Sequence, residues 1–125
     1  MICISVDKLK EKCNPLENPP WENVKPISKE EILSCNFVEK VEEYDPLCLE
    51  NRESHIKRIA FYVRNGWEDE PITVLCHPNI YPIYDGNHRF AAAIIRNDEF
   101  IMANVEGNRQ EINKLRSEEH TSELR

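Results

Sequence analysis

Ile83-Tyr84-Asp85-Gly86-Asn87-His88-Arg89-Phe90-Ala91-Ala92-Ala93-Ile94-Ile95 is the stretch that decides the fold. Two readings compete at Asp85-Gly86. The dipeptide is a strong hairpin signal, which would make the following residues a returning strand. A strand packed on one face alternates apolar and polar residues, and Phe90 to Ile95 does not. It is an alanine-rich, helix-favouring run, apolar nearly all round. The stretch therefore predicts a strand, a tight turn and a helix from about Asn87 to Arg96 that packs on the sheet.

The same residues break a local rule. A helix N-terminus carries partial positive charge and free N–H groups, so acids are favoured there and cations are not. Here the first turn holds His88 and Arg89. That makes sense if an anion, a phosphate foremost, sits between them. On this reading Gly86 lets the main chain approach the phosphate, and the N–H groups from Asn87 onward hold its oxygens. Arg89 adds a forked, charge-assisted contact. His88 donates to the phosphate or serves as a general acid, its ordinary pKa being about 6.5. Asp85 is the second candidate catalytic group, holding Mg²⁺ or orienting an attacking group. The plainer alternative makes Asp85 or Asn87 an ordinary cap and leaves His88 and Arg89 solvated.

Working outward, Ile72-Thr73-Val74-Leu75-Cys76 is a β-branched strand, His77-Pro78-Asn79 turns the chain, and Ile80 to Tyr84 returns. Upstream, Ile56, Ile59, Ala60 and Val63 form one apolar stripe on a helix from about Asn51 to Arg64. Asn65-Gly66 stops it, Gly66 suiting a left-handed cap, and Trp67 folds back on the last turn. Downstream, Phe100 to Val105 is a last strand, and Gly107 ends the compact part.

The N-terminal third is less regular. Residues 2–6 favour a strand. Asn14 to Pro26 contains Pro15, Pro19, Pro20 and Pro26 and cannot hold regular helix. It reads as an extended loop packed down by Trp21, either a connector or a wall beside the site. Ser28-Lys29-Glu30-Glu31 is a capping-box pattern opening a short helix to about Ser34. Phe37, Val41 and Tyr44 suggest another over 37–44, broken by Asp45-Pro46. The element order points to an α+β domain with helices on one side of a small mixed sheet.

A chain of 125 residues is one domain, expected over residues 1–108 with a tail at 109–125. Arg116 to Leu124 reads like the translated frame of a common sequencing adapter. Residues from about 116 are therefore expected to be non-native and disordered, and they receive no role. No apolar run is long enough to span a membrane, and the N-terminus lacks the pattern of a signal peptide. The expected location is cytoplasmic.

Five cysteines, an odd number with no Cys-x-x-Cys pair, argue against a disulfide framework or a structural zinc. Cys3 and Cys76 are expected to be buried thiols. Cys76 and His77 point to opposite faces of a strand and do not make a metal site. A net charge of −7 excludes a broadly basic duplex-DNA-coating surface. Nucleic acid would need a local patch, for which Arg52, Lys57, Arg58 and Arg64 are the candidates; the alternative is a solvated helix face.

Gly66, then Pro71-Ile72-Thr73-Val74, then Tyr84-Asp85-Gly86-Asn87-His88-Arg89 and the Ala91-Ala92 helix resemble the ParB/sulfiredoxin superfamily, over about residues 45–106. The opening strand in Met1 to Asp7 is similar too. The resemblance implies a small α+β domain whose strand–turn–helix holds nucleotide phosphates. Its members include CTP-binding partition proteins, ATP-using sulfiredoxin, free serine kinases, and proteins described as nucleases or ATPases. Sulfiredoxin's reactive cysteine falls where this chain has Asn87, which sets that activity aside. Partition proteins carry an arginine where this chain has His88 and continue into a helix-turn-helix.

What the resemblance implies is a stand-alone nucleotide-phosphate-binding domain. It would act as an NTPase or nuclease through Asp85 and His88, with ATP or CTP and Mg²⁺ as cofactors and Gly86, Asn87, His88 and Arg89 on the phosphates. A non-catalytic nucleotide-sensing or DNA- or protein-binding regulatory module is the alternative. So is a small-molecule phosphotransferase resembling the serine kinases, for which Glu42, Glu43, Glu50 and Glu53 all stand open as the second acid.

Overall fold

The computed structural model describes residues 1–35, 52–68, 70–78 and 80–116. Among these residues four strands and five helices follow one another: β1 (Ile2–Ser5), α1 (Val6–Lys12), α2 (Lys29–Ser34), α3 (Arg52–Asn65), β2 (Ile72–Cys76), β3 (Ile83–Asp85), α4 (Asn87–Arg96), β4 (Phe100–Gly107) and α5 (Arg109–Leu115). The sheet order is β1-β4-β2-β3. β1 and β4 run antiparallel, β4 and β2 parallel, and β2 and β3 antiparallel. This is the small mixed sheet of an α+β domain. No helix among the described residues is long and apolar enough to cross a membrane.

α4 lies at the centre of the packing because its sequence leaves it no wet side. Phe90 and Ala93 join Ile4, Ile72, Val74, Ile83, Ile101 and Ala103 of the strands in one core. Ala91, Ala92 and Ile95 turn the other way, onto Ile59 and Ala60 of α3, Ile32 of α2, and Leu16 and Ile27 of the intervening segments. The sheet, α4 and α3 thus form successive layers. The alanines let α4 be covered on both sides without pushing the layers apart.

Local chemistry explains the ends. Ser28 accepts from Glu31 N at 3.2 Å while the Glu31 carboxylate accepts from Ser28 N at 2.8 Å, so the capping box forms as expected. Gly66 follows α3 at φ 67°, donating to the Tyr62 carbonyl at 2.8 Å. Trp67 folds back edge-on to Tyr62. The expected helix over 37–44 lies outside the described residues.

Three boundaries differ from expectation. The first strand ends at Ser5, whose hydroxyl accepts from Lys8 N and caps α1, a helix not anticipated. The return strand starts at Ile83 rather than Ile80. Pro82 has no N–H to give the ladder, although its carbonyl still accepts from Leu75 N at 2.7 Å. Gly107 does not end the compact part. Asn108 caps α5, which carries Leu115 into the core at 1 % exposure, so residues 109–115 belong to the domain. Arg116 forms an isolated bridge with Ile4.

Cys76 is buried as expected, whereas Cys3 is only half-buried because it alternates onto the opposite face of the sheet.

Candidate functional site

Strand, turn and helix arrive where the sequence placed them. Gly86 occupies the N-cap of α4 at φ 102°, ψ 23°, a left-handed conformation that glycine adopts without steric cost. Neither Asp85 nor Asn87 caps the helix: among the described residues no side chain bonds to its first N–H groups, and its first turn contains no acid. Asn87 donates weakly from Nδ2 to the Ile83 carbonyl at 3.5 Å, while its Oδ1 is buried with no hydrogen-bond partner.

Arg89 is not solvated. It is 7 % exposed. Its Nη1 donates to the carbonyls of Glu70 and Pro71 at 2.9 and 3.4 Å, and its Nη2 reaches Asp85 Oδ2 at 3.3 Å. The Glu70 carboxylate lies 3.8 Å from Nη1. The guanidinium therefore ties the start of α4 to the segment entering β2. Its two carboxylate partners are themselves well exposed, at 66 % for Asp85 and 81 % for Glu70, so water weakens their hold.

His88 is not the free, protonatable side chain expected from its position. Its Nε2 lies 2.8 Å from Nδ1 of His55 on α3. The ring planes are 14° apart with centroids 5.1 Å apart, so the imidazoles lie side by side in nearly one plane, joined edge to edge. Trp21 lies flat across both, 4.3 Å from His55 and 4.5 Å from His88. The proline-rich segment is thus a wall of the site as well as a connector. Burial first, then the charges of His55, Arg58 and Arg89, hold the His88 pKa well below its ordinary value. His88 is consequently neutral near pH 7. It suits a base or a neutral hydrogen-bonding group, not the cationic acid first assigned.

Of the cluster's members on α3, His55 was missed from sequence and Arg58 was assigned to a nucleic-acid patch instead. His55 is fully buried and Arg58 is 6 % exposed. His55 sits four residues before Ile59, on the apolar face of α3, and a polar residue in that stripe was the available signal. Comparison with family models, curated proteins and solved structures finds no match for this chain.

The basic residues proposed as a nucleic-acid patch are dispersed. Arg58 is buried. Arg52 forks onto Glu31 at 2.8 and 2.7 Å and donates to the Pro26 carbonyl at 2.7 Å. Lys57 lies 3.6 Å from Glu53, and Arg64 donates to the Cys35 carbonyl.

Metal chemistry has little support in this donor set. No group of three or more His, Cys, Asp or Glu among the described residues could hold a metal ion. Asp85 is held by a guanidinium, and the surroundings are cationic. The described residues do not make a resident Mg²⁺ site; at this donor set a magnesium ion would arrive as the counterion of a nucleotide.

Two cavities adjoin the Glu70 segment. One, of about 420 Å³, lies among Trp67, Glu68, Arg96, Phe100 and Met102. The other, of about 490 Å³, is bounded by Phe61, Tyr62 and Trp67. Glu70 lines both, and none of residues 85–89 lines either.

Proposed function

We propose that this chain is a nucleotide-phosphate-binding domain of the ParB/sulfiredoxin kind, taking a nucleoside triphosphate at the open end of α4. One observation carries the reading. Two buried guanidiniums, Arg58 and Arg89, and two imidazoles, His55 and His88, gather at the positive end of a helix that has neither a side-chain cap nor an acid in its first turn. A guanidinium at a helix N-terminus is disfavoured by the helix dipole and favours an anion beside it; Arg89 carries that charge here, and its two carboxylate partners are well exposed.

The chemistry of binding is an exchange. Asp85 sits on Arg89 Nη2 at 3.3 Å, where a phosphate oxygen would make the same contact. A phosphate carries more charge than the carboxylate and also meets the helix N–H groups. It therefore displaces Asp85 while Nη1 keeps its hold on the Glu70 and Pro71 carbonyls. Hydrolysis, as an NTPase or nuclease, is the second reading. Its support is His88, a neutral imidazole and hence a possible base toward water.

Thermal unfolding with ATP, CTP, GTP and inorganic phosphate, with and without Mg²⁺, tests the premise. A ligand at one hundred times its Kd stabilises the fold by about 2.7 kcal/mol, and Asp85→Asn is expected to bind several-fold more tightly. Absence of any shift with every ligand would overturn the reading. Phosphate release from ATP or CTP, or nicking of supercoiled plasmid, establishes turnover if His88→Asn abolishes it.

A further inference from the structure

We propose that His55 is a positioning residue for His88. The two imidazoles act as one unit beneath Trp21, sharing a single proton whose position sets the tautomer that His88 presents to the turn at Gly86. The inference deepens the phosphate-binding reading and rests on it for the identity of the ligand.

The geometry makes the case. At 2.8 Å, His55 Nδ1 and His88 Nε2 are within hydrogen-bond distance, and the nearly coplanar rings aim each nitrogen at the other. One nitrogen must carry the hydrogen and the other the lone pair. Whichever way that proton lies, it fixes which form of His88 Nδ1 remains, a donor or an acceptor. Two fully protonated rings would set N–H against N–H, so the pair accepts one further proton where separate histidines would accept two. The indole covers both rings at once and favours a cation delocalised beneath it.

The charged neighbours set when that proton arrives. Arg58 reaches the pair from α3 and Arg89 from α4, both repelling a positive charge. Trp21, from the segment between α1 and α2, is neutral. Asp85 and Glu70 lie on Arg89. Phosphate bound at the turn offsets Arg89 and the helix end, and the pair then takes up its one proton. Binding should accordingly tighten as pH falls, by up to about tenfold per pH unit over the range where the proton is taken up.

Nitrogen-15 spectra of the imidazoles in the full chain test this without ligand. His55→Asn places an amide where Nδ1 was; the amide can still meet His88 Nε2 but cannot accept a proton. The His88 midpoint should then rise by at least about one pH unit. His55→Leu should give a tautomer mixture. An unchanged His88 midpoint in a folded His55→Asn variant overturns the proposal, and that variant decides alone if His55→Leu does not fold. Calorimetry with ATP in buffers of different ionisation enthalpy then counts protons, with one or fewer expected per ATP. Spectra as expected with no ATP binding sink the phosphate reading and uphold the pair. ATP binding with independently titrating histidines sinks the pair alone.

Discussion

Arg89 Nη1 donates to the Glu70 carbonyl oxygen at 2.9 Å, joining residues 19 positions apart. The bond makes the arginine part of the architecture. Arg89→Ala should leave a main-chain acceptor without its donor and cost about 2 kcal/mol in urea unfolding. Arg89→Lys should recover less than half of that, because an ammonium cannot serve the Glu70 carbonyl and Asp85 as a planar fork does. Unchanged stability in Arg89→Ala would show that these bonds hold nothing.

Gly86 is constrained twice. Its φ of 102° disfavours any side chain, and an added Cβ would lie 2.8 Å from Ile72 Cβ and closer still to its Cγ2. Backbone strain and overpacking together put Gly86→Ala at about 3 kcal/mol. At Gly66, φ is 67° and the nearest atom to an added Cβ is the end of Arg96 at 3.4 Å, so Gly66→Ala should cost about 1 kcal/mol. Thermal unfolding of the two variants side by side checks the order.

The parts of this fold written in local chemistry were legible. The limits of α4, the capping box at Ser28 and the strand at Ile72–Cys76 follow from residues close in sequence. α1 was legible too but was passed over: Ser5, Asp7 and the terminal lysines Lys10 and Lys12 are ordinary helix signals. The candidate site was legible on its own element and, as one of two alternatives, at the Trp21 segment. Glycine at the turn and cations in the first turn marked it. The partners came from elsewhere, His55 and Arg58 from α3 and Trp21 from a proline-rich segment, and no local period brings those residues together. For the same reason His88 was misjudged: its charge state depends on neighbours 33 positions away.

Leu115 tests where the domain ends. It is 1 % exposed and packs in the core with Ile4, Val6 and Leu9. Leu115→Ala should cost about 3 kcal/mol, the usual range for a buried leucine being about 2–5. Ile112 is only partly buried against the same core, and Ile112→Ala should cost less. If residues from 109 onward were a solvated tail, neither substitution would alter the unfolding midpoint.

Glu31 gives the fold an acid sensitivity away from the site. Arg52 donates to both of its carboxylate oxygens and Ser28 N donates to one of them, holding the Glu31 pKa down to about 2. A carboxyl group depressed in the folded state adds stability above its unfolded value of 4.5, and that contribution is lost as pH falls from 4.5 toward about 2. The pair is substantially exposed, so solvent and salt reduce its worth below what the shift alone suggests. Glu31→Gln keeps a side chain able to close the capping box and removes the charge. It should lower the unfolding temperature at pH 7 and converge on the unsubstituted chain near pH 2. Arg52→Ala should lower stability at both pH values, because it also gives up the bonds to the Lys25 and Pro26 carbonyls at 3.3 and 2.7 Å. A gap between Glu31→Gln and the unsubstituted chain that stays constant across this range would place the stabilisation in the uncharged hydrogen bonds instead of the ion pair.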